Sequence, residues 1–196
     1  KTFPGLEGRM QIMQKDPFLV LVNFAHNTDS LRKALETVKK YIGGSNRVIV
    51  VFGSAGKRDV EKRSTMGKAA GELADLIVVT AEDPRDESLY EINSQIIDGA
   101  ISEGGKLIKR FKSTEAYKEY SVDPKSLRKK SVFAFDEESV NSRYDAIEFA
   151  ITQLAQPGDL VITEGKGHEQ SLCFGATEYP FTDQDAVKRA LAKLNQ

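Results

Sequence analysis

The sequence predicts an α/β fold: a doubly wound, Rossmann-like, mostly parallel sheet with helices on both faces and a small antiparallel edge. The first observation is a short unbroken apolar run, Val48–Phe52, which is followed by a glycine and is typical of a strand buried on both faces of a parallel sheet. The second is that such runs alternate with segments of helical periodicity, which indicates repeated strand–helix units. The third is that three of the runs end in polar loops that contain glycine or proline.

The strands are assigned from apolar runs and from the turn residues that bound them. The predicted strands are residues 10–14 (an edge strand), 18–22, 48–52, 76–79, 107–111, 132–135 and 159–163. Residues 172–174 and 179–181 are predicted to pair as a small antiparallel hairpin. Residues 112–131 are polar and lysine-rich, and they receive no assignment.

Helices are predicted where apolar residues recur at i, i+3, i+4 and i+7, because this spacing makes one buried face. Thr28 or Asp29 is predicted to cap the first helix, and Thr182 or Asp183 the last. Two further helices are expected at about 64–74 and 144–154. The predicted inward faces are Leu31, Ala34, Leu35, Val38 and Tyr41 in the first helix, Leu89, Ile92, Ile96, Ile97, Ala100 and Ile101 after strand 76–79, and Ala186, Val187, Ala190 and Leu194 in the last.

The composition excludes several classes of protein. With 28 Lys and Arg against 29 Asp and Glu, there is no basic excess that would point to nucleic acid. No apolar run approaches the ~20 residues that span a bilayer, and the N-terminus lacks the apolar core of a signal peptide. The single Cys173 excludes an internal disulfide and a cysteine-cluster metal site, and two distant histidines argue against zinc. We therefore expect a cytoplasmic protein without a membrane, nucleic-acid or metal partner. Because the chain does not begin with methionine, we also expect it to be part of a longer protein.

Three strand-end loops carry the polar residues of interest: GSAGKRD, EDPR and EGKGHE. The carboxyl ends of parallel strands lie at one edge of a sheet, where ligands bind in such folds, so we expect these loops to converge there. The charged residues at the first loop and the start of its helix are Lys57, Arg58, Asp59, Lys62 and Arg63. They form a candidate site for a polar or anionic ligand, and the alternative is a basic surface turn.

The first loop does not have the spacing of a nucleotide-binding loop. A Walker loop needs glycine at position 51 and Ser or Thr at position 58, where this sequence has Val51 and Arg58. The dinucleotide fingerprint fails as well, because Ala55 stands where its second glycine is required. On its own, this chain therefore does not resemble an ATPase or a dinucleotide-dependent enzyme.

Residues of the other two loops suggest more specific roles. Arg85 is in the first turn of a predicted helix, where a cation is mildly unfavourable, and a fixed guanidinium there can bind a carboxylate through two hydrogen bonds. Glu169 can accept from an ammonium group, and Gly165 permits close backbone approach to a ligand. The simpler alternatives are an ordinary helix entry and a flexible solvated turn. His26 is as readily a core or capping residue as a ligand contact.

Taken in order, these motifs resemble the C-terminal domain of the Mur ligases, and among them the ligases that add the third residue of the peptidoglycan stem peptide. The resemblance covers nearly the whole chain. The motifs that carry it are Gly8-Arg9-Met10, Asn23-Phe-Ala-His26, Lys57-Arg-Asp59, Glu82-Asp-Pro-Arg85, Gly165-Lys-Gly-His-Glu169 and Pro180-Phe181-Thr-Asp183.

The resemblance implies a three-domain enzyme. Its N-terminal domain holds a UDP-sugar, its central domain holds ATP, Mg²⁺ and the P-loop, and its C-terminal domain presents the incoming amino acid. ATP phosphorylates the carboxylate of UDP-MurNAc-L-Ala-D-Glu, and the amine of meso-diaminopimelate or lysine attacks the acyl phosphate. Residues 1–196 are then the C-terminal domain alone, with residues 1–16 as the hinge or linker from the central domain. The isolated domain is expected to be inactive, and no catalytic residue or metal ligand is assigned to it.

The resemblance also implies roles for particular residues. The amino-acid contacts fall on Arg58, Asp83, Arg85, Gly165 and Glu169, and the nucleotide-facing residues are Arg9, Asn23 and His26. The family usually has Asp where this chain has Asn23, and D-N-P-R where it has E-D-P-R. Arg85 favours an amino acid with a second carboxylate, such as meso-diaminopimelate, whereas Asp83 in place of Asn favours a side-chain ammonium. Two alternatives remain: an amide ligase similar to folylpolyglutamate synthetase, and an inactive stand-alone α/β binding module.

Overall fold

The computed structural model describes residues 6–43 and 46–194, and strands and helices alternate between residues 19 and 163 as predicted. The strands are β1 (Gln11–Gln14), β2 (Leu19–Val22), β3 (Val48–Phe52), β4 (Leu76–Val79), β5 (Lys106–Phe111), β6 (Ser131–Phe135), β7 (Leu160–Thr163), β8 (Ser171–Phe174) and β9 (Thr177–Pro180). The helices are α1 (Thr28–Ile42), α2 (Glu61–Leu73), α3 (Leu89–Ser102), α4 (Thr114–Lys118), α5 (Asn141–Phe149) and α6 (Asp183–Leu194), and α5 continues into a π-helical turn, Ala150–Leu154.

The main sheet has seven strands in the order β1-β2-β7-β3-β4-β6-β5. Neighbouring strands run parallel except β1, which pairs antiparallel with β2 at one edge. β8 and β9 form a separate antiparallel hairpin. The predicted fold class is therefore confirmed, including the small antiparallel edge.

Helices cover both faces of the sheet and create two apolar clusters. On one face α1, α2 and α3 pack through residues such as Leu35, Met66 and Ile96. On the other face α5 and α6 pack through residues such as Phe149 and Val187. Strands β3, β4, β6 and β7 are buried along their whole length, as expected for strands covered on both faces. None of the described helices has the length and apolarity needed to cross a membrane.

The sheet order brings four loops together. Strands β2, β7, β3 and β4 are consecutive neighbours and all run in the same direction. Thr163 pairs with both Val22 and Val51, and Phe52 pairs with Val79, so the four carboxyl ends lie level with one another. The loops that follow these strands therefore leave the sheet side by side at one edge.

The first helix is capped differently from the prediction. Asn27 is the N-cap of α1, not Thr28 or Asp29: its Oδ1 accepts a hydrogen bond from the Ser30 backbone N–H at 2.9 Å, and Ser30 completes a capping box. Thr182 does cap α6, because its hydroxyl accepts from the Asp185 N–H at 3.1 Å. Both caps satisfy backbone N–H groups that have no partner inside the helix.

Three residues predicted to face inward are exposed. Tyr41, Ile101 and Leu194 are 76%, 46% and 44% exposed, respectively, and each lies in the last turn of its helix. The helical period identifies the apolar face correctly, but it does not indicate how far along the helix that face remains covered. The earlier residues of all three faces are buried.

The unassigned region 112–131 contains α4, which the sequence analysis did not predict. The helix has five residues, so it is too short to show a helical period. Its Tyr117 is buried, and the ring centroid lies 6.0 Å from those of Phe111 and Phe149 and 5.6 Å from that of Phe135. Aromatic packing therefore holds this region on the sheet.

Helices α2 and α3 cross at a contact that requires glycine. A Cβ atom added at Gly67 would lie 1.9 Å from the Ile96 carbonyl oxygen, and one at Gly99 would lie 2.0 Å from the Ser64 carbonyl oxygen. Real Cβ atoms essentially never approach other atoms closer than 3.0 Å. The two helix backbones are thus in direct contact, which fixes the position of α2 against α3.

We expect Gly99→Ala to destabilise the protein by about 2 kcal/mol or more, because overpacking outweighs the gain of about 1 kcal/mol in helix propensity. Urea unfolding followed by circular dichroism measures the difference. The control is Asp98→Ala, an exposed position on the same helix, which should stay within about 0.5 kcal/mol of wild type. Equal stability of Gly99→Ala and wild type would contradict the close contact.

Candidate functional site

The four adjacent strand ends and the β8–β9 hairpin enclose a cleft of about 370 Å³. Its lining is strongly charged and carries both signs. The cations are Arg58, Lys62 and Arg85, and the carboxyl groups are Glu82, Asp83, Glu169 and Glu178. A cleft with this lining suits a small ligand that has both carboxylate and ammonium groups.

The residues predicted to bind an amino acid meet in this cleft. Arg58, Asp83, Arg85, Gly165 and Glu169 all line it, so the expected convergence of the three loops is present. His26 lines it as well, and this residue is exposed, not part of the core. Of the other residues predicted to face a nucleotide, Asn23 is buried and Arg9 is exposed next to Phe24.

The charged residues between positions 57 and 63 lie in three different environments. Arg58 and Lys62 line the cleft. Arg63 is buried: it donates to the Ala55 carbonyl at 3.2 Å and pairs with Glu87 at 2.9 Å. Lys57 pairs with Asp86 on the surface. Of the five charged residues in this candidate site, only Arg58 and Lys62 line the cleft: Arg63 supports the loop from within, and Lys57 and Asp59 are exposed outside the cleft lining.

The loop at 82–85 has a backbone conformation that its side chains disfavour. Asp83 (φ 46°) and Arg85 (φ 57°) are both left-handed, which costs roughly 1 kcal/mol or more for a residue such as arginine. The hairpin holds the loop in place: the Arg85 N–H donates to the Cys173 carbonyl at 3.2 Å, and the Arg85 carbonyl accepts from the Gly175 N–H at 2.8 Å. Strain that is maintained by surrounding contacts is typical of functional sites.

A buried lysine, Lys166, connects two acidic residues of the cleft. Its Nζ lies 2.8 Å from Asp83 Oδ1 and 2.6 Å from Glu169 Oε2, and its side chain is inaccessible to solvent. Asp83 Oδ1 also accepts from the Cys173 N–H at 2.9 Å. Asp83 is therefore bound to internal partners, while Glu169 stays partly exposed. The sequence does not indicate this role, because a lysine between two glycines gives no sign of burial.

Glu82 is a buried carboxyl group at the cleft. Its Oε2 has no hydrogen-bond partner among the described residues. Burial raises the pKa of Glu82 to about 7, although the cations Lys62, Lys166 and Arg143 act in the opposite direction. A Cβ at Gly165 would lie 3.1 Å from Glu82 Cγ, so glycine leaves room for this side chain. A hydrogen-bond donor or cation in the cleft would give Glu82 the partner it lacks.

Arg143 of α5 holds two cleft loops from behind. It is fully buried and pairs with Asp183 of α6 through two hydrogen bonds of 2.8 Å. It also donates to the carbonyl oxygens of Ala81 and Glu164, both at 2.9 Å. These residues immediately precede the EDPR loop and the GKGHE loop. Asp183 belonged to a recognised motif, but an arginine within a helix is usually exposed, so Arg143 gave no signal.

Asn23 is bonded inside the protein. Its Nδ2 donates to both carboxylate oxygens of Glu164, at 3.0 and 3.2 Å, and its Oδ1 accepts from the Met10 N–H at 3.1 Å. The Ala25 N–H also donates to Glu164, at 2.9 Å. Burial raises the pKa of Glu164 to about 8, although these hydrogen bonds favour the charged form. Asn23 is 9% exposed and bonded to internal partners, so it presents little surface to a nucleotide.

Aromatic rings and a cation cluster at the cleft rim. The guanidinium of Arg9 lies 4.4 Å from the ring centroid of Phe24. The Phe24 ring in turn lies 4.9 Å from that of His26 and 4.7 Å from that of His168. Arg9, His26 and His168 are exposed, so this group offers aromatic faces and positive charge to a planar anionic ligand.

We expect Arg143→Met to lower the free energy of unfolding by about 3–5 kcal/mol, because it leaves Asp183 buried without its cation. The double variant Arg143→Met with Asp183→Leu removes both charges and should recover part of this loss. Urea unfolding measures both variants.

The control for Arg143 is Arg32→Met, which breaks an exposed ion pair with Glu72 and should cost no more than about 1 kcal/mol. If Arg143→Met were no more costly than Arg32→Met, the buried pair would not hold the fold.

Glu164 should make stability depend on pH. In the folded protein, Glu164 keeps its proton at pH values where the same group in the unfolded chain, with its ordinary pKa of 4.5, has lost it. The stability from this group is therefore complete below pH 4.5 and is lost as pH rises toward 8, by roughly 1.4 kcal/mol per pH unit at most. We expect Glu164→Gln to lose less stability than wild type between pH 5 and pH 8 in urea unfolding.

The matched control is Glu36→Gln, an exposed position on α1, which should keep the wild-type pH dependence. An unchanged slope in Glu164→Gln would mean that the carboxyl group is ionised throughout this range.

Comparisons with known proteins agree with the geometry. A UDP-N-acetylmuramyl-tripeptide synthetase of Roseiflexus sp. (strain RS-1) is 36% identical over 192 residues, which are 97% of this chain and 32% of the relative. A UDP-N-acetylmuramoyl-L-alanyl-D-glutamate--2,6-diaminopimelate ligase of Aquifex aeolicus (strain VF5) is 36% identical over 187 residues, 95% of this chain and 32% of its own length. The chain thus spans about a third of the length of these curated relatives.

A solved structure and a family model indicate the same family as these relatives. The structure of a UDP-N-acetylmuramoyl-L-alanyl-D-glutamate--2,6-diaminopimelate ligase is similar with a TM-score of 0.72 and 28% identity, over 99% of this chain and 33% of that one. The family model described as Mur ligase, glutamate ligase domain, matches residues 8–167. The resemblance stated from the sequence is confirmed, and the chain belongs to the Mur ligase family as a glutamate ligase domain.

Proposed function

We propose that this chain is the amino-acid-binding domain of a cytoplasmic, ATP-dependent ligase that adds meso-diaminopimelate to UDP-MurNAc-L-Ala-D-Glu. Its relatives named 2,6-diaminopimelate ligases support this proposal. The observation that carries it is the charge arrangement of the cleft, where Arg58 and Arg85 face the same space as Glu82 and Glu169. In the longer ligase, residues 1–16 form the hinge to the central domain. Residues 1–5 of that hinge lie outside the described residues.

The cleft favours meso-diaminopimelate over lysine. The far end of meso-diaminopimelate carries a carboxylate and an ammonium, whereas the far end of lysine carries only an ammonium. Arg58 and Arg85 are suited to the carboxylate, and Glu82 and Glu169 to the ammonium. Asp83 had favoured lysine in the sequence analysis, but its bond to Lys166 at 2.8 Å already supplies it with an ammonium partner. Glu169 shares the same lysine at 2.6 Å, but it is partly exposed at the cleft, so we propose that Glu169 rather than Asp83 meets the ligand.

In the proposed reaction, this chain positions the nucleophile. ATP transfers a phosphoryl group to the D-glutamate carboxylate of the dipeptide, which leaves ADP. The amine of meso-diaminopimelate, after losing a proton to water, attacks the acyl carbon, so that an amide forms and phosphate leaves. Residues that hold the far end of the amino acid aim its reacting amine, which lowers the entropic cost of bringing the two reactants together. Alone, the domain is expected to be inactive.

The cluster of Arg9, Phe24 and His26 fits a nucleotide. Its exposed aromatic and cationic groups suit a purine ring and a phosphate chain, so we keep Arg9 and His26 as nucleotide-facing residues. Asn23 is proposed to support this surface through Met10 and Glu164. Within the described residues, no group of three His, Cys, Asp or Glu side chains is placed to hold a metal. We assign Mg²⁺ and the P-loop to the part of the ligase outside this chain.

We expect the chain to bind meso-diaminopimelate more tightly than L-lysine or glutamate in calorimetric titrations. Arg85→Ala should weaken meso-diaminopimelate binding by about 10-fold or more, because hydrogen bonds between charged groups contribute roughly 1.5–3 kcal/mol. Lysine binding should change little, since lysine offers no second carboxylate. The control is Arg128→Ala, an exposed arginine outside the cleft lining, which should leave both affinities unchanged.

The complete ligase gives the decisive outcome. If the longer gene product, supplied with ATP and UDP-MurNAc-L-Ala-D-Glu, adds no diamino acid, the proposal is wrong. Turnover with glutamate on a folate substrate would support the folylpolyglutamate alternative, and absence of all turnover would support an inactive binding module.

A further inference from the structure

The N-terminal segment, residues 8–11, is bonded to one end of the glycine turn at 164–167. Gln184 of α6 connects them: its Nε2 donates to Gln11 Oε1 at 3.0 Å and to the Gly167 carbonyl at 2.9 Å. Gln11 Oε1 also accepts from the Gly8 N–H at 2.9 Å. Gln184 is buried, so water does not readily replace these bonds.

The same segment is bonded to the other end of the turn through Asn23. The Met10 N–H donates to Asn23 Oδ1 at 3.1 Å, and Asn23 Nδ2 donates to Glu164. Backbone packing closes the space between the two connections. A Cβ at Gly8 would lie 2.2 Å from the Gly167 carbonyl carbon and 2.3 Å from the His168 nitrogen. The N-terminal segment and the turn are therefore in direct contact between two hydrogen-bonded links.

The other side of the turn faces the cleft. Gly165 of the turn lines the cleft, and so does Glu169, two residues after the turn. Lys166 of the turn bonds the carboxylates of Asp83 and Glu169. A shift of the turn would therefore move the groups proposed to meet the substrate. Conversely, a ligand that fixes these groups would fix the turn and with it the N-terminal segment.

We propose that the N-terminal segment and the amino-acid cleft are energetically coupled, with Gln11 and Gln184 as positioning residues that transmit the coupling. The ligand identity in this inference rests on the proposed function. In the longer ligase the segment belongs to the hinge, so filling the cleft would bias the hinge. Linkage then requires that the hinge position bias the affinity of the cleft by the same factor.

The test substitutes Gln11, which is not among the residues that line the cleft, and measures the effect on the cleft residue Glu169 and on ligand binding. Gln11→Met keeps the side-chain bulk but removes the oxygen shared by Gly8 and Gln184. The matched control is Gln14→Met on the same strand, whose side chain bonds the Phe18 carbonyl instead. Amide hydrogen exchange is followed by NMR at Glu169, whose N–H bonds the Lys166 carbonyl at 2.8 Å, and at residues of β3 as an internal reference.

For typical coupling energies, Gln11→Met should speed exchange at Glu169 and weaken meso-diaminopimelate binding, each by about 5-fold or more, with β3 unchanged. Gln184→Met should do the same, and Gln14→Met should do neither. In wild type, saturating meso-diaminopimelate should slow exchange at Gly8 by a similar factor. Unchanged exchange at Glu169 in both Gln11→Met and Gln184→Met would overturn the coupling. If wild type failed to bind meso-diaminopimelate but Glu169 responded to Gln11→Met, the coupling would stand and the proposed ligand would fall.

Discussion

The buried pair of Arg143 and Asp183 is the interaction on which the cleft depends. A fully buried arginine must have its charge and its N–H groups satisfied, and here Asp183 and the carbonyls of Ala81 and Glu164 do so. These carbonyls lie at the ends of β4 and β7, which are not neighbours in the sheet. One guanidinium thus sets the spacing of two loops across the intervening strand. Such a pair contributes little net stability compared with an apolar replacement, so its value here lies in the geometry it imposes.

A second buried cation, Lys166, determines how much negative charge the cleft loops carry. Its single positive charge is shared between Asp83 and Glu169, and this reduces the repulsion between the two carboxylates. The other charged groups that line the cleft include Arg58, Lys62, Arg85 and Glu82, and Glu169 stays partly exposed there. Burial raises the pKa of Glu82 to about 7, so a cation bound beside it would favour loss of its proton. Two similar acidic residues, Asp83 and Glu82, therefore serve different purposes because only one of them has an internal partner.

The sequence was sufficient to predict the sheet, its helical layers and the convergence of the cleft loops. Buried parallel strands are continuous apolar runs, and their carboxyl ends share one edge, so the sequence alone places Arg58, Arg85 and Glu169 together. What depends on distant pairing could not be predicted. The roles of Lys166, Arg143 and Arg63 follow from partners far away in the chain, and a charged residue in a sequence reads as exposed by default. Tyr41 and Leu194 show the same limit at the ends of helices.

The left-handed backbone at Asp83 and Arg85 has a consequence for how this site can evolve. Glycine at position 85 would relieve strain, and a change of this kind stabilises a fold when nothing else is lost. Drift toward greater stability would therefore act against Arg85 unless selection for the proposed substrate, with its second carboxylate, retained it. A search for thermostable variants of this domain would meet the same conflict, because glycine at position 85 would relax the loop and remove the residue proposed to select the substrate.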